Sequence, residues 1–149
     1  MASVKSVNIT NLDSVPVVLS SSEEVGGKLR VFYDKYTAAS LASGSDITVA
    51  RIPANATIHD VIIKAGALGS GVTLSAGDSG SATRYLSVVG TWNVAGQSQS
   101  MSSGSSTGAP TTAVTGLGYR TTASTDIILT TGGASATGDI YTWVYYTVE

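Results

Sequence analysis

Residues 57–89 read TIHDVIIKAGALGSGVTLSAGDSGSATRYLSVV, and the way this stretch divides decides the fold. Thr57 to Ala65 alternates in period two, with His59, Val61, Ile63 and Ala65 on one side and Ile58, Asp60, Ile62 and Lys64 on the other. That pattern predicts a β-strand. Gly69-Ser70-Gly71 reads as the turn of a hairpin that returns the chain into a strand at Val72 to Ala76. Gly77-Asp78-Ser79-Gly80 then falls in a connection before a strand at Arg84 to Val89.

The flanking sequence continues in the same way, and helical periodicity is nearly absent. Upstream, Lys28 to Tyr36 places Leu29, Val31 and Tyr33 on one face and Arg30, Phe32 and Asp34 on the other. Leu41 to Gly44 reads as a loop or a single helical turn. Asp46 to Ile52 is the next strand, ended by a corner at Pro53-Ala54-Asn55. Downstream, Trp92 to Thr112 is rich in Ser, Gly and Thr and reads as a long exposed loop. Strands are expected at Ala113 to Thr121, Asp126 to Thr131 and Asp139 to Val148, with Gly132-Gly133 and Gly138 bracketing the last turn. About eight short strands make an all-β, single-domain β-sandwich, with the jelly roll as first choice and the immunoglobulin-like sandwich as second. The domain is expected to span 27–149, with its long loop at about 92–112, and to follow an extended N-terminal arm at 1–26.

Composition narrows the function classes. The chain has 149 residues, a net charge of -2 and no cysteine. Its eight basic residues are scattered, which argues against a direct nucleic-acid partner. The start, MASVKSVNITNLD, lacks the apolar core of a secretory leader, and no apolar run approaches the ~18 residues of a membrane span. The expectation is a protein made in a cytoplasm, with no membrane partner. Only 12% of residues are charged, against roughly 25% in an average soluble domain. Ser and Thr, about 40 residues, and 17 Gly supply the polar surface instead. Such a surface meets partners at low desolvation cost, which hints at assembly.

The tetrapeptide Gly77-Asp78-Ser79-Gly80 also surrounds the nucleophile of chymotrypsin-like proteases and, in part, of GDS-type esterases, so Ser79 must be weighed as a catalyst. A serine nucleophile needs a positioned base, and the base an orienting partner. The chain has one histidine, His59, and Asp60 beside it points to the opposite strand face. Ser81 stands where a second glycine follows in the proteases. Asp, Ser and Gly are what a hairpin turn requires, with the glycine supplying positive φ. Gly104-Ser105-Ser106-Thr107-Gly108 fits a G-x-S-x-G pattern, but no helix follows it. The carboxylates are too dispersed for a calcium loop or a glycosidase pair. No catalytic residue, cofactor or metal site is expected.

Two features point to contacts instead. In DIYTWVYYTVE, residues 139–149, Ile140, Thr142, Val144, Tyr146 and Val148 share one face and Tyr141, Trp143 and Tyr145 the other. The aromatic face suits an interface or a sugar-stacking platform, or it is covered within the sandwich. The arm carries Val4, Val7, Ile9, Leu12, Val15, Val17, Val18 and Leu19 without a regular pattern. Apolar residues on an arm need a surface, its own sheet edge or a neighbour's. The expected interface residues are Val4, Val7, Ile9, Leu12, Val17, Leu19, Tyr141, Trp143 and Tyr145.

From Ala50 to Leu86 the chain, ARIPANATIHDVIIKAGALGSGVTLSAGDSGSATRYL, resembles small structural proteins of tailed bacteriophages, in its "IPANA" strand end, its "I-x-D-V-x-I" strand, the "LGSGVTLSAGDSG" hairpin and "RYL". The resemblance implies a virion component, and among these the capsid decoration or cement proteins with jelly-roll folds fit the size. It implies binding outside the major capsid protein lattice together with sister subunits, as a homodimer or homotrimer, and stabilisation of the head. The alternatives are a tail or fibre module that binds host carbohydrate through Tyr141, Trp143 and Tyr145, and, remotely, a serine hydrolase at Ser79.

Overall fold

A computed structural model describes residues 13–18, 27–90, 92–102 and 116–148. Nine strands run through them: β1 (Arg30–Leu41), β2 (Asp46–Ile52), β3 (Ala56–Ala65), β4 (Thr73–Asp78), β5 (Ser81–Val89), β6 (Gln97–Ser100), β7 (Tyr119–Arg120), β8 (Thr125–Gly132) and β9 (Ala136–Val148). All pairings are antiparallel. The first sheet has the order β1-β9-β3-β6, with β7 also paired to β3, and the second has the order β2-β8-β4-β5. The chain is an all-β sandwich.

The core lies between the sheets. Val61, Ile63, Ile140 and Val144 from the first sheet meet Ile52, Leu74, Ala76, Ile127 and Leu129 from the second, all essentially without solvent exposure. Each fully buried aliphatic contributes about 1.5–3 kcal/mol of transfer free energy. Alternation produces this directly, since every second residue of β8 and β9 faces inward.

Several sequence expectations change. The Gly69-Ser70-Gly71 segment is no hairpin turn: β3 lies in the first sheet and β4 in the second, so the glycines carry a crossing between sheets. Their positive φ values, 125° and 80°, suit that path. The hairpin comes one element later, at Ser79-Gly80 between β4 and β5. Ile58 does not share a face with Asp60 and Ile62. A bulge between Ile58 and Asp60 makes His59 the extra residue, which returns Ile58 to the core beside Val61.

The 92–112 segment is not wholly a loop. Trp92 and Met101 are buried in the core, and β6 pairs with β3; residues 103–112 lie outside the described residues. The strand expected at Ala113 to Thr121 is reduced, within what is described, to Tyr119–Arg120. The Pro53-Ala54-Asn55 corner stands as expected. Asn55 adopts φ 59°, and buried Thr121 latches it, its hydroxyl donating to the Pro53 carbonyl at 2.7 Å.

Candidate assembly surface

On β1 the hydrophobic face and the inner face are not the same. Phe32 and Tyr36 pair with Val144 and Ile140 and pack on the core, while Asp34, between them on the same face and opposite Thr142, stays exposed. Leu29, Val31 and Tyr33 consequently point outward, more than half exposed at 58, 53 and 53%. The sequence separated these two sets, but it carried no signal as to which would face solvent.

The outer face of β9 continues this surface. Tyr33 lies opposite Trp143, Val31 opposite Tyr145 and Lys35 opposite Tyr141; on the far side, Ile62 lies opposite Trp143 and Lys64 opposite Tyr141. Tyr141, Trp143 and Tyr145 are half-buried, while Ile140, Thr142 and Val144 are buried, as the alternation required. The rings of Tyr33 and Trp143 sit 5.2 Å apart at 40°, and those of Tyr141 and Trp143 6.4 Å apart at 25°. These are cross-strand and along-strand contacts of the kind that stiffen a sheet.

Polar groups rim the patch. Lys35 pairs with Asp139 at 2.9 Å and stands 5.4 Å from the centre of the Tyr141 ring. Thr37 Oγ1 donates to Asp139 Oδ1 at 2.6 Å. The Thr37 hydroxyl and then the Lys35 ammonium hold the Asp139 carboxyl below its ordinary range, and the Asp139 carboxylate raises Lys35. The aromatic strip is thus part-exposed and bordered at one end by the Lys35–Asp139 pair.

Of the arm residues expected at an interface, Val4, Val7, Ile9, Leu12 and Leu19 lie outside the described residues. Val17 is exposed, as are Val15 and Val18.

The Gly77–Gly80 tetrapeptide serves the fold. Asp78 is buried and accepts four hydrogen bonds. Its Oδ1 takes the Gly80 and Ser81 amides at 2.9 and 3.0 Å, and its Oδ2 takes Arg84 Nε at 2.6 Å and the Tyr85 hydroxyl at 2.8 Å. Burial alone would push the Asp78 carboxyl up, but the bonds from Arg84, Tyr85 and the Gly80 amide outweigh it and hold the group below its usual range. Burial, and then the bond to Asp78, drives the Tyr85 phenol well above its ordinary value. The Arg84 guanidinium also lies over the Tyr119 ring at 4.2 Å, tying the hairpin to β7.

Gly77 is required for a close approach, because a Cβ there would run into the Ser81 carbonyl. Gly80 does not supply the positive φ expected of it. A side chain there would instead crowd the Arg84 guanidinium at 3.0 Å. Ser79 itself is exposed in the turn of the second sheet, at the rim of an open cleft of about 490 Å³ that Asp46 and Thr130 also line. His59, on the first sheet, has Nε2 3.0 Å from Thr147 Oγ1. The serine and the histidine thus belong to different sheets, and the histidine faces Thr147. Among the described residues no group of three or more His, Asp or Glu side chains is placed to hold a metal ion, and no helix is long and apolar enough to cross a membrane.

No protein-family model and no curated protein sequence matches the chain. Solved structures do. The chain is similar to a chain of the cyanophage Pam1 capsid asymmetric unit, with 28% identity over 92% of this chain and 97% of that one and a TM-score of 0.66. It shares its fold with a chain in the capsid of Ralstonia phage GP4, at 17% identity over 83 and 86% of the two chains, TM-score 0.62. It shares it too with a chain in the acidic stable capsid structure of Helicobacter pylori bacteriophage KHP30, at 12% identity over 80 and 87%, TM-score 0.58.

Proposed function

We propose that the chain is a structural component of a phage head, a decoration or cement protein that binds the outside of the major capsid lattice and stabilises it. The observation that carries this reading is the likeness, along almost the whole of both chains, to a chain in a cyanophage capsid asymmetric unit. Near-complete coverage in both directions means that the matched capsid chain is of about this size. The strand order supports the jelly-roll expectation: β1 to β5 alternate between sheets until the β4–β5 hairpin, and β8 and β9 then enter the middle of each.

In this reading the work is adhesion. Each subunit makes modest contacts with the major capsid protein and with sister subunits, and simultaneous engagement raises the effective affinity. The outer strip formed by Val31, Tyr33, Trp143 and Tyr141 and the apolar residues of the arm supply the contact area. The low charge content keeps its desolvation inexpensive. The Ser79 turn holds the fold and carries no chemistry.

Gold-labelled antibody against this protein, viewed on virions in negative stain, is expected to mark heads. Purified protein added back to heads stripped of it should raise the temperature at which they release DNA. Labelling confined to tails would replace this reading with the carbohydrate-binding one, which a glycan array would then pursue.

A further inference from the structure

Among the described residues β1 is an edge strand of the first sheet, with β9 on its paired side. The Lys35 amide donates to the Asp34 carboxylate at 2.8 Å instead of to a strand. Alternate residues of an antiparallel strand turn their backbone groups to opposite sides, so the odd-numbered residues of β1 address the open edge. Between residues 30 and 38 the strand has no proline and no register shift, two of the devices that blunt an edge, and its charges, Arg30, Asp34 and Lys35, are of both signs. We infer that β1 pairs with β1 of a second copy of this chain, antiparallel about a two-fold axis at Phe32, so that two first sheets join into one.

Charge complementarity sets both the occupant and the register. With Phe32 opposite the partner's Phe32, Arg30 comes opposite the partner's Asp34, and symmetry makes this pair twice. Val31 comes opposite the partner's Tyr33, a β-branched and aromatic pair of the favoured kind. The Lys35 amide passes from Asp34 to the carbonyl of the partner's Leu29, which frees the Asp34 carboxylate for the partner's Arg30. Moving the axis to Tyr33 sets Asp34 against Phe32 and Arg30 against Tyr36. Moving it to Asp34 sets that carboxylate against itself. Moving it to Val31 leaves Arg30 against Phe32 and breaks the Val31–Tyr33 pair.

The same register extends the outer strip. Tyr145, Val31, the partner's Tyr33 and the partner's Trp143 form one row across the joint, following the pairings Val31–Tyr145 and Tyr33–Trp143 within each copy. On the inner side, Asp34 and Phe32 line a cleft of about 230 Å³ between the edge strands β1 and β2, together with Thr48 and Arg51. The partner's Arg30 and Phe32 arrive at this cleft. The inference concerns self-pairing and stands apart from any role on a capsid.

The test uses the purified full chain. Sedimentation equilibrium should show a dimer at tens of micromolar. Because the chain has no cysteine, Phe32→Cys under mild oxidation should yield a covalent dimer, since the position faces itself at a non-hydrogen-bonded pair, whereas Tyr33→Cys should not. Arg30→Asp and Asp34→Arg should each weaken the dimer by about tenfold or more. The two together should restore it, with the β-sheet circular dichroism unchanged in all three. A monomeric or trimeric wild type, cross-linking through Tyr33→Cys in place of Phe32→Cys, or a double variant as weak as the single ones would each overturn the inference. The charge variants remain decisive if Phe32→Cys does not fold.

Discussion

Asp78 and Arg84 face each other across the β4–β5 turn at 2.6 Å, with the carboxylate only 3% exposed and the guanidinium 19%. Removing one partner of such a pair leaves the other buried and uncompensated, at a cost of about 3–5 kcal/mol. Asp78→Ala additionally orphans the Tyr85 hydroxyl. It is expected to lower the free energy of unfolding by an amount in this range, which urea denaturation would read as a lower midpoint at unchanged slope.

The same carboxylate sets a pH dependence. Its folded-state value lies below its unfolded value of about 4, so the unfolded state binds more protons in acid. The stabilisation is complete above that pH and is lost as pH falls through the folded value. Asp126 and Asp139 are shifted in the same direction, by Arg51 and by Thr37 with Lys35 respectively, but on the surface, where salt screens them. At high salt the acid limb of a stability–pH curve should therefore flatten in Asp78→Asn relative to wild type. An unchanged limb would show that Asp78 is not its source.

Neighbouring positions in the turn should behave differently. Ser79→Ala, at an exposed site, is expected to stay within about 0.5 kcal/mol of wild type, and a fluorophosphonate probe should not label Ser79. Gly77→Ala must push the hairpin backbone apart and is expected to cost about 1–3 kcal/mol or more. Thermal melts of the two variants side by side make the comparison.

Trp92 tests the boundary of the Ser/Gly/Thr-rich segment. Its side chain is buried, its amide donates to the Val72 carbonyl at 3.0 Å, and its carbonyl accepts the Leu68 amide at 2.8 Å. Trp92→Ala is expected to cost about 3–5 kcal/mol, measured by denaturant titration. A loop tryptophan would cost a small fraction of that.

Deleting residues 1–20 separates the arm from the edge strand. The truncated chain is expected to keep its β-sheet circular dichroism and its dimer and to lose its hold on heads, as co-sedimentation with stripped heads would show. Unfolding on truncation would make the arm part of the core; undiminished binding would make it dispensable.

Period-two alternation determined the class of fold and the two faces of β9, because a strand alternates whatever it packs against: Ile140 and Val144 inward, Tyr141 and Trp143 outward. The turn at Ser79-Gly80 was legible too, since Asp, Ser and Gly are the residues such a connection requires. Three things were decided only in the folded state. Which face of β1 meets the core depends on its pairing with β9 across 100 residues of sequence, and there Phe32 and Tyr36 outweigh Asp34. The sheet to which β4 belongs depends on what Gly69 and Gly71 connect, and both a hairpin and a crossing use the same glycines. The bulge at His59, which buries Ile58, and the burial of Trp92 and Met101 in a segment of low-complexity composition arise from long-range register, for which local residue types carry no signal.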